Sequence, residues 1–206
     1  MSGAPGRAWQ RMLSGRRLDL LDPAPRDIEI ADIAHGLARV ARWNGQTAGP
    51  HVFSVAQHAL LVEAIGRGEA PGLGAGDGLE LLLHDAPEYV IGDIISPFKA
   101  AIGDSYKAVE RRLLAAIRER FGLPEPGAAL SALVKRADGV AAYHEATRLA
   151  GFSGPEADAI FGACAPLGPE AEALLVPWPT DVAQARFLAR FHVLAPVPVR
   201  APPEPA

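Results

Sequence analysis

Apolar residues recur at helical spacing along most of the chain. Ile33, Leu37 and Val40 lie four and three apart, which predicts a helix over 31–43. Val55, His58, Val62 and Ile65 repeat at three, four and three, which predicts a helix over 53–65 with His58 on its apolar stripe. A short apolar helix is expected over 77–85, where Leu79, Leu81, Leu82 and Leu83 precede His84 and Asp85. Tyr106, Val109, Leu113 and Ile117 mark one stripe of a helix over 104–121, stopped by Gly122 and Pro124. Val134, Asp138, Ala141 and, two turns beyond Asp138, Glu145 share a stripe of a helix over 128–150. A last helix is expected over 180–194, with Thr180 as its N-cap.

No convincing strand alternation interrupts this pattern, so the expected fold is all-α: one helical bundle over 27–194. An irregular arm, with a short extended piece at 26–30, precedes the bundle over 1–26. A disordered tail over 195–206 follows, where five prolines fall in twelve residues. The segment from Gly66 to Gly76 reads as a glycine-rich linker; the glycines from Gly72 to Gly78 lack the lysine of a phosphate-binding loop and follow no strand. Ser153 and Glu156 have the spacing of a capping box.

Composition narrows the function classes. Half of the residues are hydrophobic, so 206 residues suffice for a core. Twenty basic against 24 acidic residues give a net charge of −4, which argues against a nucleic-acid partner but leaves room for a small phosphate ligand. The arginine-rich start lacks the apolar run of a secretory signal, and no apolar run is long enough to span a membrane. With one cysteine, Cys164, and no CxxC pair, a cytoplasmic location is expected.

The chemistry lies in the histidines and aspartates. His84-Asp85 ends a run that should be buried, and two buried polar side chains need partners. His58 and Asp138 sit on the inward stripes of two other helices. Three helices thus each direct ligands to the interior, in the order His, His-Asp, Asp, and one divalent cation satisfies them together. Mixed imidazole and carboxylate donors suit Mn, Co, Fe, Ni or Zn. His35, His144 and His192 read as ordinary histidines, and the arginines at 111, 112, 118 and 120 as a solvated face.

The order His58 … His84-Asp85 … Asp138 resembles the signature of the HD-domain metal-dependent phosphohydrolases. The segments Arg42-Trp43, Ser54-Val55-Ala56-Gln57-His58, the block from His84 through Glu88 and Asp93 to Lys99, and Ala137-Asp138 resemble the bacterial 5′-deoxynucleotidase branch. The sequence departs from that pattern at Pro87 and Tyr89, and His51 is an additional histidine. The resemblance implies that His58, His84, Asp85 and Asp138 hold the metal, and that Glu88 and Asp93 are catalytic. It further implies that Arg42, Trp43 and Lys99 contact a nucleotide substrate, and that the protein is a homodimer. The implied reaction removes phosphate from 2′-deoxyribonucleoside 5′-monophosphates. The alternatives are a deoxynucleoside triphosphate triphosphohydrolase and a catalytically idle, nucleotide-sensing HD domain.

Overall fold

A computed structural model of the chain describes residues 8–95, 98–99 and 103–195. Its architecture is helical. The elements are α1 (Ile30–Leu37), α2 (Val55–Glu69), α3 (Ala75–Leu83), α4 (Glu88–Ile91), α5 (Asp104–Phe121), α6 (Ala128–Arg148), α7 (Gly154–Phe161), α8 (Pro169–Glu172) and α9 (Thr180–Leu194). The Pro-rich tail beyond Ala195 and the start before Ala8 lie outside the described residues.

Helix α2 is the centre of the bundle. Ser54 caps it, its hydroxyl accepting from the Gln57 amide. Both faces of α2 are buried, from Val55 through Val62 and beyond. This is more than the single stripe expected from spacing, because α3, α6 and α9 all pack on it. Its polar side chains are satisfied in place: Gln57 donates to the carbonyls of Leu174 and Val176, and Glu63 accepts from Arg190 and Arg67. Close helix approach depends on glycine. A β-carbon on Gly66 would stand 2.6 Å from Leu81 Cδ1, and one on Gly36 would stand 2.6 Å from the Tyr89 carbonyl oxygen.

Several local expectations need correction. Helix α1 ends at Leu37 rather than reaching 43, because residues 40–42 pair with the strand-like entry to α2. Val55 donates to the Val40 carbonyl and Arg42 to the Phe53 carbonyl, bridging Ala41 and Ser54. The N-terminal arm contains an antiparallel hairpin, β1 (Trp9–Arg11) and β2 (Arg17–Asp19), that buries Leu18 fully. Strands of three residues carry no readable alternation. Ser14, at the hairpin tip, fixes it to α1 through Asp32. The piece at 26–30 is a 3₁₀ turn (Pro25–Asp27) leading through extended Ile28 into α1. The residue capping α9 is Pro179, with Thr180 already inside the helix. The glycine segment is shorter than a linker, since α2 continues to Glu69 and α3 begins at Ala75. Arg118 and Arg120 are not a solvated face. Arg118 pairs with buried Glu80, and Arg120 donates to the Ile28 carbonyl, so both tie α5 to its neighbours.

Candidate metal centre

The segment following α3 builds the site. Pro87 has no amide hydrogen and cannot extend an α-helix through the preceding turn. The chain tightens instead: Ala86, Glu88 and Tyr89 donate to the carbonyls three residues back, and α4 follows at once. His84, Asp85 and Glu88 are thereby gathered within one compact turn. Helix α2 brings His58 to this turn and α6 brings Asp138.

These four ligand-bearing side chains converge. One donor atom from each of His58, His84, Asp85 and Asp138 lies within 4.8 Å of all the others. His58 Nε2 stands 3.4 Å from Asp85 Oδ2 and 3.3 Å from Asp138 Oδ1, and His84 Nε2 stands 3.2 Å from Asp85 Oδ2. The side chains form a gradient of exposure from His58 at 0% to Asp138 at 45%, so the cluster opens to solvent on the Asp138 side. A cavity of about 250 Å³ reaches it there, lined by His84, Asp138, Ser131, Arg118 and Lys135 among others.

The donor set fits a divalent cation. His84 Nδ1 lies 2.8 Å from the Leu81 carbonyl, which can only accept, so the ring proton is on Nδ1. His58 Nδ1 lies 2.5 Å from Glu145 Oε1. Both Nε2 atoms face the cluster, are buried, and have no hydrogen-bond partner among the described residues. Two bare imidazole nitrogens beside two carboxylates are what a transition-metal ion accepts. Burial opposes protonation of both rings, with Arg42 adding to that at His58, but the surrounding carboxylates outweigh it and raise both pKa values. A cation bound there would take over that positive role and leave the rings neutral.

Around the cluster lies a second set of ionisable groups. Glu88 is almost fully buried, and burial beside Asp85 and Asp93 pushes its carboxyl up to about 9, against the opposing pull of Lys99 and Arg42. Its Oε1 lies 3.4 Å from Lys99 Nζ, which is also 3.4 Å from Glu110. Arg42 donates from Nη1 to Asp93 and from Nε to Glu145, each at 3.2 Å. Trp43 Nε1 donates to the same Glu145 at 2.9 Å, its ring lying against Phe152 and Phe161.

Comparison with known proteins finds no matching family model. The chain is 57% identical over 189 residues to the uncharacterized protein RCAP_rcc00048 of Rhodobacter capsulatus, covering 91% of this chain and 96% of that protein. The chain belongs to the RCAP_rcc00048 family. It is also 39% identical over 112 residues to the uncharacterized protein YfdR of Escherichia coli, covering 54% of this chain and 56% of YfdR.

In this member of the RCAP_rcc00048 family, Glu88, Asp93, Arg42, Trp43 and Lys99 all lie around the four-residue cluster, linked to it or to one another by the contacts above. His51 does not join them. It is exposed in the loop before α2, because the helix begins only at Val55. His144 is buried with its Nε2 bonded to the Ala165 carbonyl, which accounts for it without a ligand. Sequence reasoning placed Glu145 on the inward stripe but gave it no role; its spacing of seven from Asp138 is the signal that puts both on one face. Glu110, which flanks Lys99, carried no such signal, and Tyr106, on its other side, was readable only as part of an apolar stripe.

Proposed function

We propose that this protein is a metal-dependent phosphohydrolase of the HD type, acting on 2′-deoxyribonucleoside 5′-monophosphates. The observation that carries the reading is the His58, His84, Asp85 and Asp138 cluster, with two bare imidazole nitrogens and an open Asp138 side, bordered by the buried Glu88. When bound there, a divalent cation supplies an activated water at neutral pH and neutralises charge on the phosphoryl oxygens. The protein holds it through those four side chains.

Glu88 is the group that holds and moves a proton at this site. Burial beside Asp85 and Asp93 raises its pKa in the metal-free protein, and Lys99 at 3.4 Å stabilises the anion once the proton has left. Asp93 is held by Arg42 beside Glu88 and is the second carboxylate available for this work. Arg42 has an Nη2 group with no partner among the described residues and is close enough to Asp85 and Asp138 to feel their charge. That nitrogen suits a phosphate oxygen. A second cavity, of about 350 Å³, is lined by Asn44, Asp93, Ile94, Ile95 and Phe98. Its apolar wall beside Asp93 suits a nucleoside. The protein is expected to work as a homodimer in the cytoplasm.

The test is product analysis on a nucleotide panel with the manganese-, cobalt- or zinc-loaded protein. The proposal requires orthophosphate and a deoxynucleoside from deoxynucleoside monophosphates. Release of tripolyphosphate from deoxynucleoside triphosphates, with no action on monophosphates, would replace it.

A further inference from the structure

Glu145 is a fully buried carboxylate that never reaches the ligand cluster, yet three donors converge on it. His58 Nδ1 donates to Oε1 at 2.5 Å, while Arg42 Nε and Trp43 Nε1 donate to Oε2 at 3.2 and 2.9 Å. We propose that Glu145 is the positioning residue of the metal centre, and that Arg42 and Trp43 act on the metal through it. The inference rests on the reading of the four-residue cluster as a metal site.

An ionised carboxylate only accepts hydrogen bonds. Facing Nδ1, it fixes the His58 proton there and leaves the Nε2 lone pair for the cation. It also makes the imidazole a stronger donor than a neutral acceptor would. His84 has only the Leu81 carbonyl in the equivalent place, so the two histidine ligands are tuned differently. The burial of the Glu145 carboxylate is compensated in place by the Arg42 guanidinium, the Trp43 indole N–H and the His58 ring, all within hydrogen-bond distance.

The backbone commits to this arrangement. Trp43 and Asn44 both take left-handed conformations, with φ of 57° and 51°. Asparagine tolerates this region, but a tryptophan there is strained and must be held by its surroundings. The conformation follows directly on the 40–42 pairing with residues 53–55, and it leaves the indole N–H on Glu145. Arg42 extends the link to Asp93, so one guanidinium positions both the outer carboxylate of His58 and a carboxylate at the substrate side.

The experiment measures Co²⁺ affinity by chelator competition, together with the visible Co²⁺ spectrum, on the full-length protein. Glu145→Gln should weaken binding by about 10–100-fold and alter the spectrum, since loss of an outer carboxylate changes the donor strength of His58. Glu145→Asp should recover part of the affinity. Trp43→Phe, which keeps a ring and removes only the N–H donor, should weaken binding about two- to tenfold, less than Glu145→Gln because Arg42 still holds the carboxylate. If the wild type binds Co²⁺ and these variants bind it with unchanged affinity and spectrum, the positioning role of Glu145 is overturned while the metal site stands. If the wild type binds no divalent metal, the metal-site reading itself fails. Should Glu145→Gln not fold, Glu145→Asp and Trp43→Phe decide by the same readout.

Discussion

Lys99 Nζ lies 3.4 Å from the Glu88 carboxylate and 3.4 Å from that of Glu110, and the second Glu88 oxygen is buried with no partner among the described residues. The lysine does not fully compensate the burial of Glu88 near Asp85 and Asp93, which is why the carboxyl is pushed up to about 9 from 4.5. Between these values the unfolded chain has released the proton while the folded, metal-free protein keeps it. The folded state then binds more protons than the unfolded one, and stability falls as pH rises through that window. Glu88→Gln removes this loss. At pH 8 the metal-free variant should be more stable than the wild type by about 1–3 kcal/mol, a Tm gain of several degrees. Thermal melts at pH 4 and pH 8 check the sign: the gain should be small at pH 4. A variant less stable than the wild type at pH 8 would show that Glu88 is already ionised and well paired.

The same Glu88→Gln protein should turn over substrate about 10²–10⁴-fold more slowly, with little change in metal content, as expected of a group acting only in proton transfer. Metal analysis and steady-state kinetics on one preparation separate the possibilities. Near-normal kcat in a folded, fully metallated variant moves the assignment to Asp93.

Asp138 is the most exposed of the four ligand residues, with 45% of its side chain accessible, so its replacement disturbs packing least. Asp138→Ala should therefore keep the fold and lose most of the bound metal. Elemental analysis and circular dichroism are the measurements. Wild-type metal content in this variant contradicts the ligand assignment.

Much of the bundle was legible because its helices are long and end on strong signals. The 104–121 helix was readable from a four-residue stripe and a Gly-Pro stop, and the structure gives α5 the same limits, closed by Gly122 at φ 69°. The four metal-ligand candidates were legible because each is a polar residue within a buried run or on a helix face turned inward. The path around Trp43 was not. Spacing through Val40 suggested a continuing helix, whereas the pairing of residues 40–42 with 53–55 is a tertiary choice that local pattern does not encode. The pairing of Arg118 with Glu80 was hidden for the same reason: it joins residues 38 positions apart.

Trp43 also separates two roles that Phe and Ala substitutions distinguish. Under saturating metal, the wild type should prefer dAMP to AMP, by no more than about a hundredfold if an apolar wall alone rejects the extra hydroxyl. Trp43→Ala should narrow that ratio, whereas Trp43→Phe should largely keep it. Equal wild-type rates on dAMP and AMP would remove the deoxy preference and leave hydrolysis untouched.

Gly36 links the fold to the site. Its missing β-carbon lets α1 touch the backbone of Tyr89, the residue after Glu88. The obstacle to a side chain is a carbonyl oxygen, which cannot rotate away. Gly36→Ala should cost about 1–3 kcal/mol and displace α4, lowering kcat more than metal affinity. Unchanged Tm would show that α1 and α4 separate freely.

The most direct test of the account is release of orthophosphate from dAMP by the wild-type protein, first stripped with a chelator and then reloaded with about one equivalent of Mn²⁺ or Co²⁺. The account predicts negligible release by the stripped protein and restored, stoichiometric formation of deoxyadenosine and phosphate after reloading. A protein that binds the metal at His58, His84, Asp85 and Asp138 but releases no phosphate from any deoxynucleoside monophosphate would contradict it.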